Sequence, residues 1–373
     1  MNNRIVVLSA NTSWYLYNFR RTTIVSLQKL GYTVYCVSPC DGYSERLVKE
    51  YSVEWVDINI DNKGKNPFKD FNLILDFFKI YKKLKPLVVC HFTIKNNIYG
   101  TFPAFILGAK VINNVTGLGT AFISGGLVSS FVNLLYRFTQ PFADKVFCQN
   151  QDDYDFLVAK KLVRSKKLEL LPGSGVDINR FSPEKRYGVV KKDKFVFLFV
   201  GRMIVDKGVT ELLEAAELLS RSRNDFLIKL CGFTSVDNVS ALSDSYIKKW
   251  AQKDYIDWLG PSDHIEEIYS MADCVVLPSY REGMPRTLLE AGAMGLPSIT
   301  TNVPGCRHLI NDGFNGFVCE VKNPADLMGA MIKILNLDEP EYSSMCANAR
   351  DFIVSHYCDS LVVNKTIKAI ESS

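Results

Sequence analysis

Arg281-Glu-Gly-Met-Pro-Arg-Thr-Leu-Leu-Glu-Ala-Gly-Ala-Met-Gly295 comes one residue after Cys274-Val-Val-Leu-Pro-Ser279. The apolar run before it reads as a buried parallel strand, and the run after Pro285 reads as a helix. Glu282 and Glu290 therefore flank a strand-to-helix turn. Pro285 suits the first helical position, where a missing N–H costs nothing and φ is already set. Gly283 lets the backbone approach a ligand, and the free N–H groups of a helix start attract an anion. At about 1.5 Å of rise per residue, Glu290 lies roughly 7 Å along the axis from Pro285. A diphosphate at the helix tip would leave Glu290 level with a ribose and Glu282 facing whatever lies beyond the phosphates. The plainer alternative is two solvated glutamates near an ordinary helix start.

A second anion site lies upstream. Lys194-Phe-Val-Phe-Leu-Phe-Val200 reads as a strand covered on both faces, and it runs into Gly201-Arg202-Met-Ile-Val-Asp206-Lys207-Gly208 before a helix near Val209. Open α/β sheets bind ligands at the carboxyl ends of their strands. There Arg202 offers a planar fork for two phosphate oxygens and Lys207 a point charge. Alternatively, Lys207 is a surface lysine and Arg202 pairs with a neighbour such as Asp206.

Strand-like and helix-like runs alternate along the chain, the pattern of parallel sheets with helices on both faces. The first half carries strands at 5–9, 33–38, 53–58, 87–92, 110–115, 145–149 and 168–171, with helices over 66–84 and 129–139. The second repeats the rhythm at 195–200, 227–231, 256–259, 274–277, 298–301 and 316–319. Pro172-Gly-Ser-Gly175 and Ser182-Pro183 punctuate the middle. The expected class is α/β, with two doubly wound Rossmann-like domains, 1–175 and 176–355. The tail, 356–373, is expected to pack back on the first domain.

A chain of 373 residues, 47% hydrophobic, can bury more than one core. A net charge of +4 without a long basic block excludes nucleic acid as the expected partner but allows contact with an anionic membrane. The ten cysteines are scattered, as for reduced thiols in a cytoplasmic protein, and complete no zinc pattern. Residues 5–10 are too short an apolar run for a signal peptide, and 121–138 is too interrupted for a spanning helix.

In this order and spacing, the motifs resemble the family 4 retaining glycosyltransferases of GT-B fold, and the resemblance covers most of the chain. Phe199-Val-Gly-Arg202, Asp206-Lys-Gly208 and the 282–290 segment carry it, with Leu296-Pro-Ser-Ile-Thr300, Asn311-Asp-Gly-Phe-Asn-Gly-Phe317 and Gly173-Ser-Gly-Val-Asp-Ile-Asn-Arg-Phe-Ser-Pro183. It implies two domains facing each other across a cleft. It also implies that Arg202 and Lys207 bind the donor diphosphate beside Gly201, that Glu290 holds the ribose and that Glu282 contacts the donor sugar. Amides around Gly283, Met284, Pro285, Arg286 and Thr287 would cap the phosphates.

In the acceptor half, Asn11-Thr-Ser-Trp-Tyr-Leu-Tyr-Asn-Phe-Arg20 replaces the glycine loop frequent in relatives. As an aromatic loop at the cleft edge it would cover an acceptor sugar, with Asn18 and Arg20 toward the acceptor; the readier alternative is an amphipathic helix over 17–30 with its aromatics packed inward. Asn114-Val-Thr-Gly-Leu-Gly-Thr-Ala-Phe122 brings Thr116, Gly117 and Gly119 to the same sheet edge. Thr116 stands where many relatives have a histidine, leaving His91 as the histidine nearest that edge. His91 reads more readily as a buried structural residue than as a ligand contact. Asp153-Tyr-Asp155 matches a metal-binding signature but opens a helix, where acidic residues satisfy the helix start. No metal and no cofactor are expected. Ser129–Phe138 is amphipathic and, with Lys160, Lys161, Lys166 and Lys167, fits either a bilayer surface or a sheet-packed helix.

The expected activity is retaining transfer of a hexose or N-acetylhexosamine, from a uridine diphosphate donor, to a glycan acceptor in surface-polysaccharide synthesis. The acceptor is expected to be linked to a lipid diphosphate. The enzyme is expected to be cytoplasmic, either free or peripheral on the inner face of the plasma membrane. The rivals are a nucleotide-sugar 2-epimerase of the same fold, which this histidine-poor chain is ill equipped to be, and a non-catalytic binding subunit.

Overall fold

The computed structural model describes residues 4–61, 67–118, 126–186, 193–236 and 238–372. Within them the chain forms two compact units: Met1–Ser174 with Asp359–Ser373, and Gly175–Cys358.

The first unit is built on β1 (Ile5–Ser9), β2 (Thr33–Ser38), β3 (Glu54–Asp57), β4 (Val88–Phe92), β5 (Lys110–Val115), β6 (Lys145–Cys148) and β7 (Leu168–Leu170). They form one parallel sheet in the order β3-β2-β1-β4-β5-β6-β7. The side-chain period of two sends Val6 and Leu8 to one buried face and Ile5 and Val7 to the other. Both faces are covered, so these strands read as continuous apolar runs. One face is covered by helices Pro67–Leu84, Thr101–Ile106 and Gly126–Thr139, through Phe77, Tyr81, Ala104 and Tyr136. The other carries helix Ser13–Lys29 and the C-terminal helix Asp359–Glu371, through Leu16, Ile24, Leu27, Val362 and Ile370. Thr22 Oγ1 donates to Asp359 at 2.7 Å, and Lys365 Nζ to the Leu170 carbonyl at 2.8 Å.

The second unit holds β8 (Phe195–Val200), β9 (Phe226–Cys231), β10 (Ile256–Gly260), β11 (Cys274–Leu277), β12 (Ser298–Thr301) and β13 (Gly316–Cys319), ordered β10-β9-β8-β11-β12-β13. This is the doubly wound order, reversing direction between β8 and β11, where such sheets bind ligands. The unit extends to Cys358 because helix Glu339–Tyr357 packs on helix Arg286–Ala293. A Cβ at Gly292 would lie 2.4 Å from Ile353 Cγ1, so only glycine permits that approach.

Each of the thirteen expected strands is present, some shifted by a residue or two: the third contracts from 53–58 to Glu54–Asp57. Residue 66, expected to open a helix, lies outside the described residues, as do Gly119 and 120–122 of the acceptor loop and 121–125 of the interrupted apolar stretch. Two expectations need correction. The segment from Asn11 to Arg20 is not a cleft-edge loop but the alternative helix, which begins at Ser13 rather than at residue 17. Thr12 caps it, its Oγ1 accepting from Tyr15 N at 3.1 Å, and no glycine or proline interrupts the run from Ser13 to Lys29. Pro285 lies at the N-cap with extended ψ 114, so helix Arg286–Ala293 starts one residue later. Among the described residues, no helix is long and apolar enough to cross a membrane.

Candidate functional site

At the carboxyl edge of the second sheet, the loops after β8, β11 and β12 press together through glycines. Gly208 has φ +72, and a Cβ there would sit 2.1 Å from the Pro278 carbonyl oxygen. Gly305 has φ +82, and a Cβ there would lie 2.6 Å from the Glu282 carbonyl oxygen and 2.7 Å from that of Gly283. Side chains would wedge both junctions open. Two hydrogen bonds close the first junction further: Tyr280 N donates to the Asp206 carbonyl at 2.9 Å, and Thr287 Oγ1 to the Val200 carbonyl at 3.0 Å.

This contact brings the two candidate motifs into one cluster. Lys207 Nζ forms an ion pair with Glu282 Oε1, which also accepts from Ser279 Oγ at 2.8 Å. Lys207 is therefore no free surface lysine. Arg202, at the end of β8, is exposed, and among the described residues its guanidinium has no hydrogen-bond or ion-pair partner, Asp206 included. An available fork at that strand end, beside Gly201, is suited to an anion. The acidic loop enters helix Arg286–Ala293, whose amino end meets the same sheet edge. Gly283 and Met284 are half-buried in this turn.

Glu290 is mostly buried, with both carboxylate oxygens engaged. Oε1 accepts from Arg286 Nε at 2.9 Å and pairs with its Nη2 at 2.8 Å, while Oε2 accepts from the Tyr269 hydroxyl at 3.1 Å. The i, i+4 spacing places Arg286 over Glu290 on one helix face. Tyr269 comes from the adjacent helix Ile265–Ser270, and burial beside Glu290 pushes its hydroxyl pKa well up, so it stays a donor. Tyr280 packs on the same edge, donating to Glu211 Oε1 at 2.5 Å beneath the Lys322 ammonium, 4.7 Å from its ring. Tyr269, Ser279, Tyr280 and Glu211 escaped the motif reading because none carries a spacing signal. Ser279 ends the quoted strand segment and Tyr280 follows it directly, yet neither residue type marked a contact to Glu282 or Glu211.

The first unit answers differently. Arg20 does not reach a ligand edge: it is 2% exposed, its guanidinium lies 4.2 Å from the Phe92 ring centroid, and Nη2 donates to the Tyr15 hydroxyl at 2.7 Å. A helix side chain leans back toward the amino end, which draws this arginine under Phe92 rather than outward. His91 is fully buried. Its Nε2 lies 2.8 Å from the Tyr81 hydroxyl and its Nδ1 2.9 Å from Asn113 Oδ1, and burial holds the imidazole pKa down at about 4. It is a neutral core residue, not an acceptor contact. Asn18 donates from Nδ2 to the Trp14 carbonyl at 3.0 Å on a half-buried helix face. Thr116 and Gly117, the latter with φ +135, follow β5 at the sheet's carboxyl edge and are half-buried. Asp153 lies in the first turn of its helix, its N donating to the capping Asn150 Oδ1 at 2.8 Å, while Asp155, a turn further on, accepts from the Gln151 side chain at 2.8 Å.

Comparison with known proteins accords with this geometry. The family model "Glycosyl transferases group 1" matches residues 182–352, and "Glycosyl transferase 4-like" matches residues 4–150. An Escherichia coli protein named UDP-Gal:alpha-D-GlcNAc-diphosphoundecaprenol alpha-1,3-galactosyltransferase is 30% identical over 78% of this chain and 76% of its own. A Campylobacter jejuni N,N'-diacetylbacillosaminyl-diphospho-undecaprenol alpha-1,3-N-acetylgalactosaminyltransferase is 26% identical over 95% of this chain and 94% of its own. Among solved structures, a Rickettsia africae glycosyltransferase superposes with TM-score 0.81 at 20% identity over 100% of both chains. Anabaena HepE, solved with UDP and glucose, gives 0.78 at 15% identity over 98% of both. The chain therefore belongs to the family 4 glycosyltransferases, enzymes of GT-B fold that transfer hexosyl units.

Proposed function

We propose that the protein transfers a hexose or N-acetylhexosamine from a uridine diphosphate donor, with retention, to a sugar carried on a lipid diphosphate in surface-polysaccharide synthesis. The observation that carries this reading is the junction of the cationic loop Gly201–Gly208 with the acidic loop 281–290, fastened by Lys207 and Glu282. Arg202 and Lys207 take the diphosphate, with amides at the start of helix Arg286–Ala293. Glu290, braced by Arg286 and Tyr269, holds the ribose, and Glu282 meets the donor sugar. The names of the relatives support the donor and acceptor classes.

In this reading the sugar–phosphate bond loosens first, toward an oxocarbenium-like state. The departing phosphate oxygen takes the acceptor's proton on the face where the new bond forms. The protein's part is positioning and stabilising charge on the diphosphate. Arg202, Lys207 and the helix start supply that charge, so the reaction is proposed to run without a metal or cofactor. Thr116, Gly117 and Asn18 remain the proposed acceptor contacts of the first unit, and the enzyme is proposed to work at the inner face of the plasma membrane.

The test is incubation of purified protein with UDP-galactose, UDP-N-acetylgalactosamine or UDP-glucose and a lipid-diphosphate-linked sugar, with the product's anomeric configuration read by NMR. A glycosylated lipid product with the donor's configuration is expected, and no epimer of the donor when acceptor is withheld. An inverted linkage, or transfer from none of these donors, would overturn the proposal.

A further inference from the structure

Glu290 is braced by more than its two direct partners. In the segment between β7 and β8, Asp177 folds a tight turn. Its Oδ1 accepts from Asn179 N at 3.0 Å and Arg180 N at 2.9 Å, while its carbonyl accepts from Phe181 N at 2.9 Å. A short carboxylate side chain reaches backbone N–H groups two and three residues on, which is why aspartate favours such turns. The turn sets Arg180 beside Phe181, with the guanidinium 5.2 Å from the ring centroid.

Both residues then reach helix Ile265–Ser270. Arg180 Nε and Nη2 donate to Glu266 Oε2 at 3.2 and 2.9 Å, with side chains only 22% and 21% exposed. Phe181 meets the Tyr269 ring edge-on, with centroids 5.9 Å apart. Glu266 and Tyr269, three residues apart, share one face of that helix. One turn therefore grips the face that presents the Tyr269 hydroxyl to Glu290. Arg350 holds the turn from the other side. Its Nη1 donates to the Phe181 carbonyl at 2.8 Å and to the Ala293 carbonyl, and its Nη2 to the Ile178 carbonyl at 3.1 Å. Ala293 ends the helix that carries Glu290, so the turn is fixed to both helices of the ribose subsite. Burial opposes the charge on Arg180, but Glu266, with Glu290 beyond it, outweighs this and holds the guanidinium pKa above its ordinary value.

The two oxygens of Glu290 are divided between a cation and a neutral donor: Oε1 faces Arg286 and Oε2 faces Tyr269. Should Tyr269 withdraw, the guanidinium fork of Arg286 can take both oxygens, because that geometry suits a carboxylate. Fewer lone pairs would then face a ligand. We propose that Arg180 is a positioning residue of the ribose subsite: through Glu266 and Tyr269 it keeps Glu290 from closing onto Arg286, so that the carboxylate stays open to the ribose hydroxyls of the nucleoside diphosphate. The inference rests on the ribose role proposed for Glu290 above.

Calorimetric titration with UDP, with its analogue lacking both ribose hydroxyls and with inorganic pyrophosphate tests it. Wild-type protein should bind UDP at least ~10-fold more tightly than the analogue, the usual worth of hydrogen bonds to a charged group. Arg180→Ala should erase most of that preference, while pyrophosphate, which needs only Arg202, Lys207 and the helix start, binds as to the wild type. The donor KM should rise about 5-fold or more, the worth of one hydrogen bond, with kcat at saturating donor unchanged. Arg180→Lys, which keeps a cation for Glu266, should restore part of the preference. Glu266→Gln should weaken the preference to a smaller degree, and it carries the test if the alanine variant does not fold. A full ribose preference in these variants would overturn the inference. Equal loss of UDP and pyrophosphate binding would also overturn it, marking an arginine that only holds the fold. Wild-type protein with no ribose preference would count against Glu290 as the ribose contact, and the inference would fall with that reading.

Discussion

Lys207 and Glu282, 75 residues apart in the chain, meet in an ion pair that fastens the loop after β8 to the loop after β11. In the proposed reaction the donor enters between them: the lysine turns to phosphate, and the carboxylate is freed for sugar hydroxyls. A pair that a substrate must open keeps both groups in place without committing them.

Lys207→Ala should therefore lower kcat about 100-fold or more, the usual cost of removing one preorganised contact to developing charge. The fold should survive, because the loop junction is also held by the Tyr280–Asp206 and Thr287–Val200 hydrogen bonds. Single-turnover kinetics with a parallel thermal melt checks both halves of this expectation.

Arg286→Ala removes the cation that braces Glu290 while leaving the Tyr269 bond. The pair is mostly buried, with side chains 18% and 11% exposed, so a stranded carboxylate is costly. A loss of about 2–3 kcal/mol in stability is expected, discounted from the fully buried case. Denaturant unfolding should show it, and the double variant Arg286→Ala, Glu290→Gln should recover part of the loss.

Gly208→Ala combines a left-handed residue with a Cβ driven against the Pro278 carbonyl. The backbone penalty alone is roughly 1–2 kcal/mol. The clash should also part the two loops, so affinity for the donor should fall at least ~10-fold while the first unit is unchanged. Donor titration by calorimetry measures it.

His91 gives the pH prediction. Its folded pKa, about 4, lies below the ordinary value of 6.5, so between these the unfolded chain binds more protons than the folded one. The contribution is fully present above pH 6.5 and is lost as the pH falls toward 4. A span of that size corresponds to on the order of 3 kcal/mol. Wild-type protein should lose more melting temperature between about pH 7 and about pH 5 than His91→Gln does.

The parallel strands were legible because both faces are buried and the chain writes them as unbroken apolar runs, as in Phe195–Val200. The two motifs that the folded loops join were legible because glycines, fixed cations and paired glutamates recur at sheet ends. What escaped was side-chain direction. Asn18 and Arg20 looked like loop residues near a ligand, but Thr12 starts a helix early and the helix turns Arg20 under Phe92. His91 lies within β4, the same strand whose end a ligand would meet, yet its pleat aims it into a buried network with Tyr81 and Asn113. Tyr269 supports Glu290 from a different helix, a contact that only the folded packing creates.

Calorimetric titration of UDP into wild-type protein and into Arg202→Ala, Lys207→Ala and His91→Gln puts the joined loops to the most direct test. Binding to the wild type is predicted, weakened at least ~10-fold by either cation's removal and unchanged by the histidine substitution. If both cation variants bind UDP as the wild type does, the two loops do not hold the donor's pyrophosphate and the account fails.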